Sequence, residues 1–170
     1  EGADIALIPV GAIPSLHNAE IVTAYCLGSD DFVKTVVLAG QVAKEKMGRV
    51  NLDYQSKTSV VLVQVLAQYF WKISPQWIPA EPGYELQLQG NTGGVIIGDR
   101  AFSAWTNHPH CYDLSHEWHM YTGLPFVFAC WVARPGIGND FLERFEHALE
   151  WGVANRIKAI PEGLEVTKAE

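Results

Sequence analysis

A chain of 170 residues, 48% hydrophobic and 18% charged, carries enough apolar surface for a real core, which excludes a disordered segment and allows one domain or two small lobes. Its formal net charge of −7 argues against nucleic acid as the main partner, because phosphate binding wants a basic face; a small anion stays open, since the local field of a cleft can oppose the global sign. Cys26, Cys111 and Cys130 are sparse and odd in number, which fits free thiols in a reducing, cytoplasmic setting, and no apolar run reaches the roughly 18 residues a membrane span needs.

The chain opens on Glu1 rather than Met and enters a strand-like run almost at once, so it reads as a piece of a longer protein with an upstream segment. Residues 4–8 read as a buried strand stopped by Pro9. Residues 20–27 and 32–39 read as two more. Residues 49–53 form a short strand that runs into a polar turn, Ser56-Lys57-Thr58-Ser59. Apolar residues at Leu62, Val65, Leu66 and Tyr69 then predict a helix from Thr58 to Trp71. Residues 75–79 are a short strand between prolines, and residues 94–97 a buried strand ending at Gly98-Asp99. A helix follows from Arg100 to Trp105. Asp113 can cap the next, Leu114 to Tyr121, which Gly123 and Pro125 stop. Phe126 to Ala133 is the strongest strand in the chain. Asp140 and Glu143 resemble a capping box for a last helix with Phe141, Phe145, Leu149 and Val153 on one face. That helix is expected to run to about Ala159, with Pro161 ending it and a frayed tail from Thr167 to Glu170.

Alternating strands and helices give an α/β fold. Two long apolar strands, 32–39 and 126–133, flank a self-contained block at 49–122. That order predicts two lobes around a ligand cleft: residues 1–40 and 123–170 as part of a first lobe with its hinge strands, and residues 41–122 as a second α/β lobe.

The polar turn is the main candidate site. A helix N-terminus exposes up to four free amides and about half a positive charge. Hydroxyls of Ser56, Thr58 and Ser59 add donors, and Lys57 adds a full charge. The plainer alternative is an ordinary N-cap, but a turn at the carboxyl edge of an α/β sheet is where such sheets bind ligands. Asp99 follows a buried strand in the same way; it either accepts from a ligand hydroxyl or caps the helix at Arg100. Leu124, Pro125 and Phe126 on one side, and Pro9 and Ile13 on the other, either line a cleft or pack structurally. The histidines at 108, 110, 116 and 119 do not follow a His-Glu-x-x-His pattern, so no metal is expected. No phosphate loop or dinucleotide fingerprint is present, so no organic cofactor is expected either.

Ala6-Leu7-Ile8-Pro9, Ser56-Lys57-Thr58-Ser59, Ile96-Ile97-Gly98-Asp99, the run Tyr112 to Trp118 and the run Thr122 to Phe128 occur in an order that resembles the chorismate dehydratases of the futalosine route to menaquinone. The likeness spans Asp4 to about Arg134. It implies a type II periplasmic-binding-protein-like fold, with a partial first lobe here. It also implies loss of water from chorismate to give 3-[(1-carboxyvinyl)oxy]benzoate, with no metal or cofactor. Carried onto this chain, Ser56, Thr58 and Ser59 would clamp a substrate carboxylate, Lys57 would supply charge, and Asp99 would be a polar contact. The resemblance places a Ser-Tyr-Leu-Asn-like motif, and with it the catalytic base, in an upstream segment, so the catalytic residues stay unassigned. The sister 1,4-dihydroxy-6-naphthoate synthase and a solute-binding protein for a small carboxylate are the alternatives. A homodimer is compatible with the sequence.

Overall fold

A computed structural model describes the chain from residue 3 to residue 167, with side chains through residue 158. The strands are β1 (Ile5–Pro9), β2 (Glu20–Ser29), β3 (Val36–Gly40), β4 (Arg49–Leu52), β5 (Gln76–Pro79), β6 (Thr92–Ile97), β7 (His110–Asp113) and β8 (Phe126–Ala133). The α-helices are α1 (Thr58–Val65), α2 (Arg100–Asn107), α3 (Leu114–Thr122) and α4 (Asn139–Thr167). They form two sheets, one ordered β1-β8-β2 and one ordered β5-β4-β6-β3-β7. The mixed α/β architecture expected from the sequence is therefore present.

The chain divides into two compact units, each described by itself. The first comprises Glu1–Leu7, His17–Cys26 and Cys130–Glu170. In it the Trp131 and Phe145 rings meet edge-on at 5.0 Å, and Arg134 pairs with Asp4. The second comprises Ile8–Leu16 and Leu27–Ala129 and holds the five-stranded sheet.

That sheet explains itself through strand periodicity. β3 lies between β6 and β7, antiparallel to both, and all five of its residues are buried. Successive side chains point to opposite faces. Val36 and Leu38 join a core with Val50, Leu62, Leu66 and Val95; Val37 and Ala39 join another with Ile96, Ala101 and Ala104. Each fully buried aliphatic side chain contributes about 1.5–3 kcal/mol. β4 runs parallel to both β5 and β6, so the carboxyl ends of all three lie at one edge.

Three elements differ from expectation. β3 starts at Val36 rather than residue 32, because the amides of Val33 and Lys34 donate to the Asp113 carboxylate at 3.0 and 2.6 Å and Lys34 turns to φ +64°. The predicted helix 58–71 is α-helical to Val65 and then widens to a π-helical turn over Leu66–Trp71. It ends where Lys72 adopts φ 55° and the Ile73 amide bonds the Ala67 carbonyl at 2.9 Å. In α4 the Gly138 carbonyl takes the first amides, from Phe141 and Leu142, so Asp140 sits inside the first turn as a charge on the positive helix end rather than as the cap. The same helix passes through Pro161 to Thr167: a proline removes one hydrogen bond and crowds the carbonyl four residues back, which weakens a helix without ending it. Residues 168–170 of the expected tail lie outside the described residues.

Candidate ligand site

The parallel ends of β4 and β6 bring two connections together. β4 leads through Asp53 into the polar turn and α1; β6 leads into Gly98, whose amide bonds the Thr35 carbonyl at 2.8 Å. Between them, within the second unit, lies a cavity of about 330 Å³. Its walls are largely apolar, with Pro9, Val33, Val36, Ile97 and Phe128; its polar side is Gln55 to Ser59 together with Thr35. An apolar hollow with a few convergent polar groups is what holds a small organic ligand.

The turn is built as follows. Ser56 Oγ accepts the Ser59 amide at 2.9 Å, the bond of an N-cap hydroxyl, and its own proton stays free to donate. The amides of Lys57 and Thr58 find no partner among the described residues. Ser59 is 3% exposed and borders the cavity, and its hydroxyl has no partner among the described residues. Lys57 is exposed on the rim.

Thr58 is different. Its hydroxyl donates to the Phe128 carbonyl at 2.8 Å and accepts from the Gly11 amide at 3.2 Å. A hydroxyl has one proton, and here the protein uses it. The expectation that Thr58 clamps a carboxylate is therefore corrected: it pins α1 to β8 and to the 3₁₀ turn at Val10–Ser15. Gly11 permits the approach, since a Cβ there would lie 3.0 Å from the Lys57 carbonyl oxygen and from Thr58 Cα.

Asp99 is exposed and borders no part of this cavity, and its side chain makes no cap bond to α2, so it is not the side-chain cap foreseen as one of its two roles. Its place after Gly98, at φ +66°, turns it away from the line of the strand. Of the five residues expected to line a cleft, Pro9 borders the cavity. Phe126 packs instead against Trp118 and Phe128, with ring centroids at 5.3 and 4.8 Å. Leu124 is 57% exposed, the Pro125 carbonyl accepts from Trp118 Nε1 at 3.2 Å, and the Ile13 carbonyl accepts the Leu16 amide at 2.9 Å; none of these three borders the cavity.

Sequence reasoning missed Asp53, whose side chain is fully buried directly before the turn. It accepts from the Gln55 amide at 2.7 Å, from the Tyr84 hydroxyl at 2.9 Å and from Arg100 at 2.7 Å. The Tyr84 hydroxyl also meets the Val95 carbonyl. Burial, reinforced by Asp53, pushes the Tyr84 phenol well above its ordinary value. Burial pulls the Arg100 guanidinium down, but the Asp53 and Glu85 carboxylates outweigh it and hold the charge. The available signal was a carboxylate at the end of one parallel strand and an arginine opening the helix after its neighbour.

Asp113, foreseen as a cap, accepts from the Ser115 and His116 amides at 3.0 and 3.2 Å as well as from Val33 and Lys34. His116 pairs with Asp31 at 2.6 Å and stacks on Phe32 at 4.0 Å. Among the described residues no three His, Cys, Asp or Glu side chains gather to hold a metal ion, and no helix is long and apolar enough to cross a membrane.

A family model described as menaquinone biosynthesis matches residues 1–169. The chorismate dehydratase of Thermus thermophilus is 34% identical over 119 residues, covering 60% of this chain and 43% of that protein. The chorismate dehydratase of Campylobacter jejuni is 43% identical over 56 residues, 31% of this chain and 25% of that protein. The matches thus take in under half the length of these relatives. Among solved structures, an Archaeoglobus fulgidus protein superposes with a TM-score of 0.69 at 18% identity, covering 96% of this chain and 61% of that one. An ABC transporter protein of Parabacteroides distasonis gives 0.56 at 16% identity, covering 94% and 57%. These two show a likeness of fold alone, in keeping with the periplasmic-binding-protein-like architecture expected.

Proposed function

The chain belongs to the menaquinone biosynthesis family, and from that premise we propose that the whole protein removes water from chorismate to form 3-[(1-carboxyvinyl)oxy]benzoate. The observation that carries this reading is the turn from Ser56 to Ser59, whose free amides and hydroxyls border an apolar cavity large enough for a ring. The names of the two curated relatives support it.

The chemistry suits such a site. A base takes the proton from the ring carbon that bears the enolpyruvyl ether. That carbon is conjugated through a double bond to the ring carboxylate, so negative charge grows on the carboxylate as the proton leaves. The electron pair then forms the new ring double bond, the adjacent hydroxyl takes up a proton equivalent to the one removed and departs as water, and the ring becomes aromatic. Donors aimed at the carboxylate thus strengthen their grip as charge develops, which is the condition for lowering a barrier. Ser56, Ser59 and the amides of Lys57 and Thr58 supply those donors, and Lys57 supplies charge. The apolar wall at Val36, Ile97 and Phe128 holds the ring and keeps water out. No carboxylate or imidazole lines this cavity among the described residues. By class this is a carbon–oxygen lyase, acting in the cytoplasm on a soluble substrate.

The test is to incubate the whole protein with chorismate. A new aromatic ultraviolet band, with a product lighter by one water, is expected. Binding without turnover would point to a solute-binding protein, and no binding at all would refute the reading.

A further inference from the structure

The segment Gln55-Ser56-Lys57 is a thin wall. One side borders the cavity of about 330 Å³; the other borders a second hollow of about 420 Å³, shared with Asp53, Val60 and Pro79. With a hollow on either side, its shape leans on hydrogen bonds. These form a polar brace. The Gln55 amide donates to Asp53 Oδ1 at 2.7 Å, and Arg100 Nη2 bridges Asp53 Oδ2 at 2.7 Å and Gln55 Oε1 at 3.0 Å. The Asp53 side chain is fully buried, and Arg100 also reaches Glu85 at 3.5 Å and lies 5.2 Å from the centre of the Tyr54 ring.

This brace has a chemical consequence. A guanidinium has only donors, so the end of the Gln55 carboxamide that faces it is the oxygen. The amide nitrogen is the end left over, and it has no partner among the described residues. We propose that Gln55 offers this N–H group to the carboxylate of the bound ligand, and that Arg100, anchored on Asp53, is the residue that positions it. The inference rests on the cavity taking a ring carboxylate, as set out above. Arg100 borders neither hollow. It acts through Gln55, which makes it a positioning residue rather than a contact.

Benzoate is the probe. Calorimetric affinity is measured on the chain alongside its thermal midpoint. Gln55→Met should bind benzoate about tenfold more weakly, the loss of one hydrogen bond to a charged group, with an unchanged midpoint. Arg100→Met should show a similar loss, and the double variant should bind no more weakly than the worse single, because residues in one chain of contacts couple. Should Arg100→Met fail to fold, Arg100→Lys decides: it keeps a charge on the Asp53 side, but its ammonium stops one bond short of the Nη2 position that touches both Asp53 and Gln55, so affinity falls while the fold persists. Wild-type affinity in Gln55→Met, wild-type affinity in every folded Arg100 variant, or single losses that multiply in the double would each overturn the proposal. A wild-type chain that ignores benzoate would instead sink the carboxylate reading itself, and this inference with it.

Discussion

Thr58→Val separates a structural hydroxyl from a ligand-binding one, since valine keeps the shape and removes the oxygen. The change strips the Phe128 carbonyl of a donor at 2.8 Å and the Gly11 amide of an acceptor at 3.2 Å, at a residue only 5% exposed. A buried polar group left unpaired costs about 1–3 kcal/mol. The Gly11 bond is part-buried and belongs near the lower end, so the total should be about 2–4 kcal/mol. For a chain of this length that corresponds to a fall in thermal midpoint of about 5–15 °C. Urea denaturation of the wild type, Thr58→Val and Thr58→Ser gives the answer. The serine variant keeps both bonds and loses one methyl, so it should fall by no more than about 0.8 kcal/mol. If Thr58→Val unfolds within about 0.5 kcal/mol of wild type while benzoate binding collapses, the hydroxyl serves the ligand rather than the fold.

Ser59→Ala should do the converse, weakening benzoate binding about tenfold by calorimetry while leaving the urea midpoint in place, because its hydroxyl has no partner among the described residues. Gly11→Ala should destabilise by about 1–3 kcal/mol, since the new methyl meets backbone atoms of Lys57 and Thr58 at 3.0 Å and neither can swing aside; a stability equal to wild type would show that the two segments separate freely. Tyr84 gives a pH dependence. Its folded-state pKa lies above the ordinary 10.0, so the folded chain keeps a proton that the unfolded chain releases. The contribution is whole below pH 10 and declines as pH rises past it, by up to about 1.4 kcal/mol per pH unit. Comparing urea midpoints from pH 9 to 11 should show a flatter profile in Tyr84→Phe, and parallel profiles would remove Tyr84 as the source.

Features carried by neighbouring residues were legible in the sequence. Phe126–Ala133 forms the strand its β-branched and aromatic run announces, and Asp113 caps α3 with Gly123 at φ 71° closing it. The turn at 56–59 likewise follows a strand and opens a helix as its pattern implies. What stayed hidden depends on partners far along the chain. Local pattern shows three hydroxyls in four residues; it cannot show that Phe128 and Gly11 claim one of them. Arg100 and Asp53 are 47 residues apart, and only the parallel pairing of β4 with β6 brings them together. Residues 32–35 have strand-like composition, yet a carboxylate about 80 residues away takes two of their amides and bends them out of the ladder.

That last bond has a bearing on how the protein assembles. Val33, on the cavity wall, owes its position to Asp113, and Lys34 holds a left-handed backbone that favours glycine. The bonds that hold it come largely from distant residues, the Asp113 carboxylate and Trp105 Nε1, which donates to the Lys34 carbonyl at 2.9 Å, so the shape depends on long loops having closed. The cavity wall at Val33 is therefore expected to form late in folding and to open early under mild denaturant. Exchange of the Val33 and Lys34 amides with solvent should report that partial opening before the central strands yield.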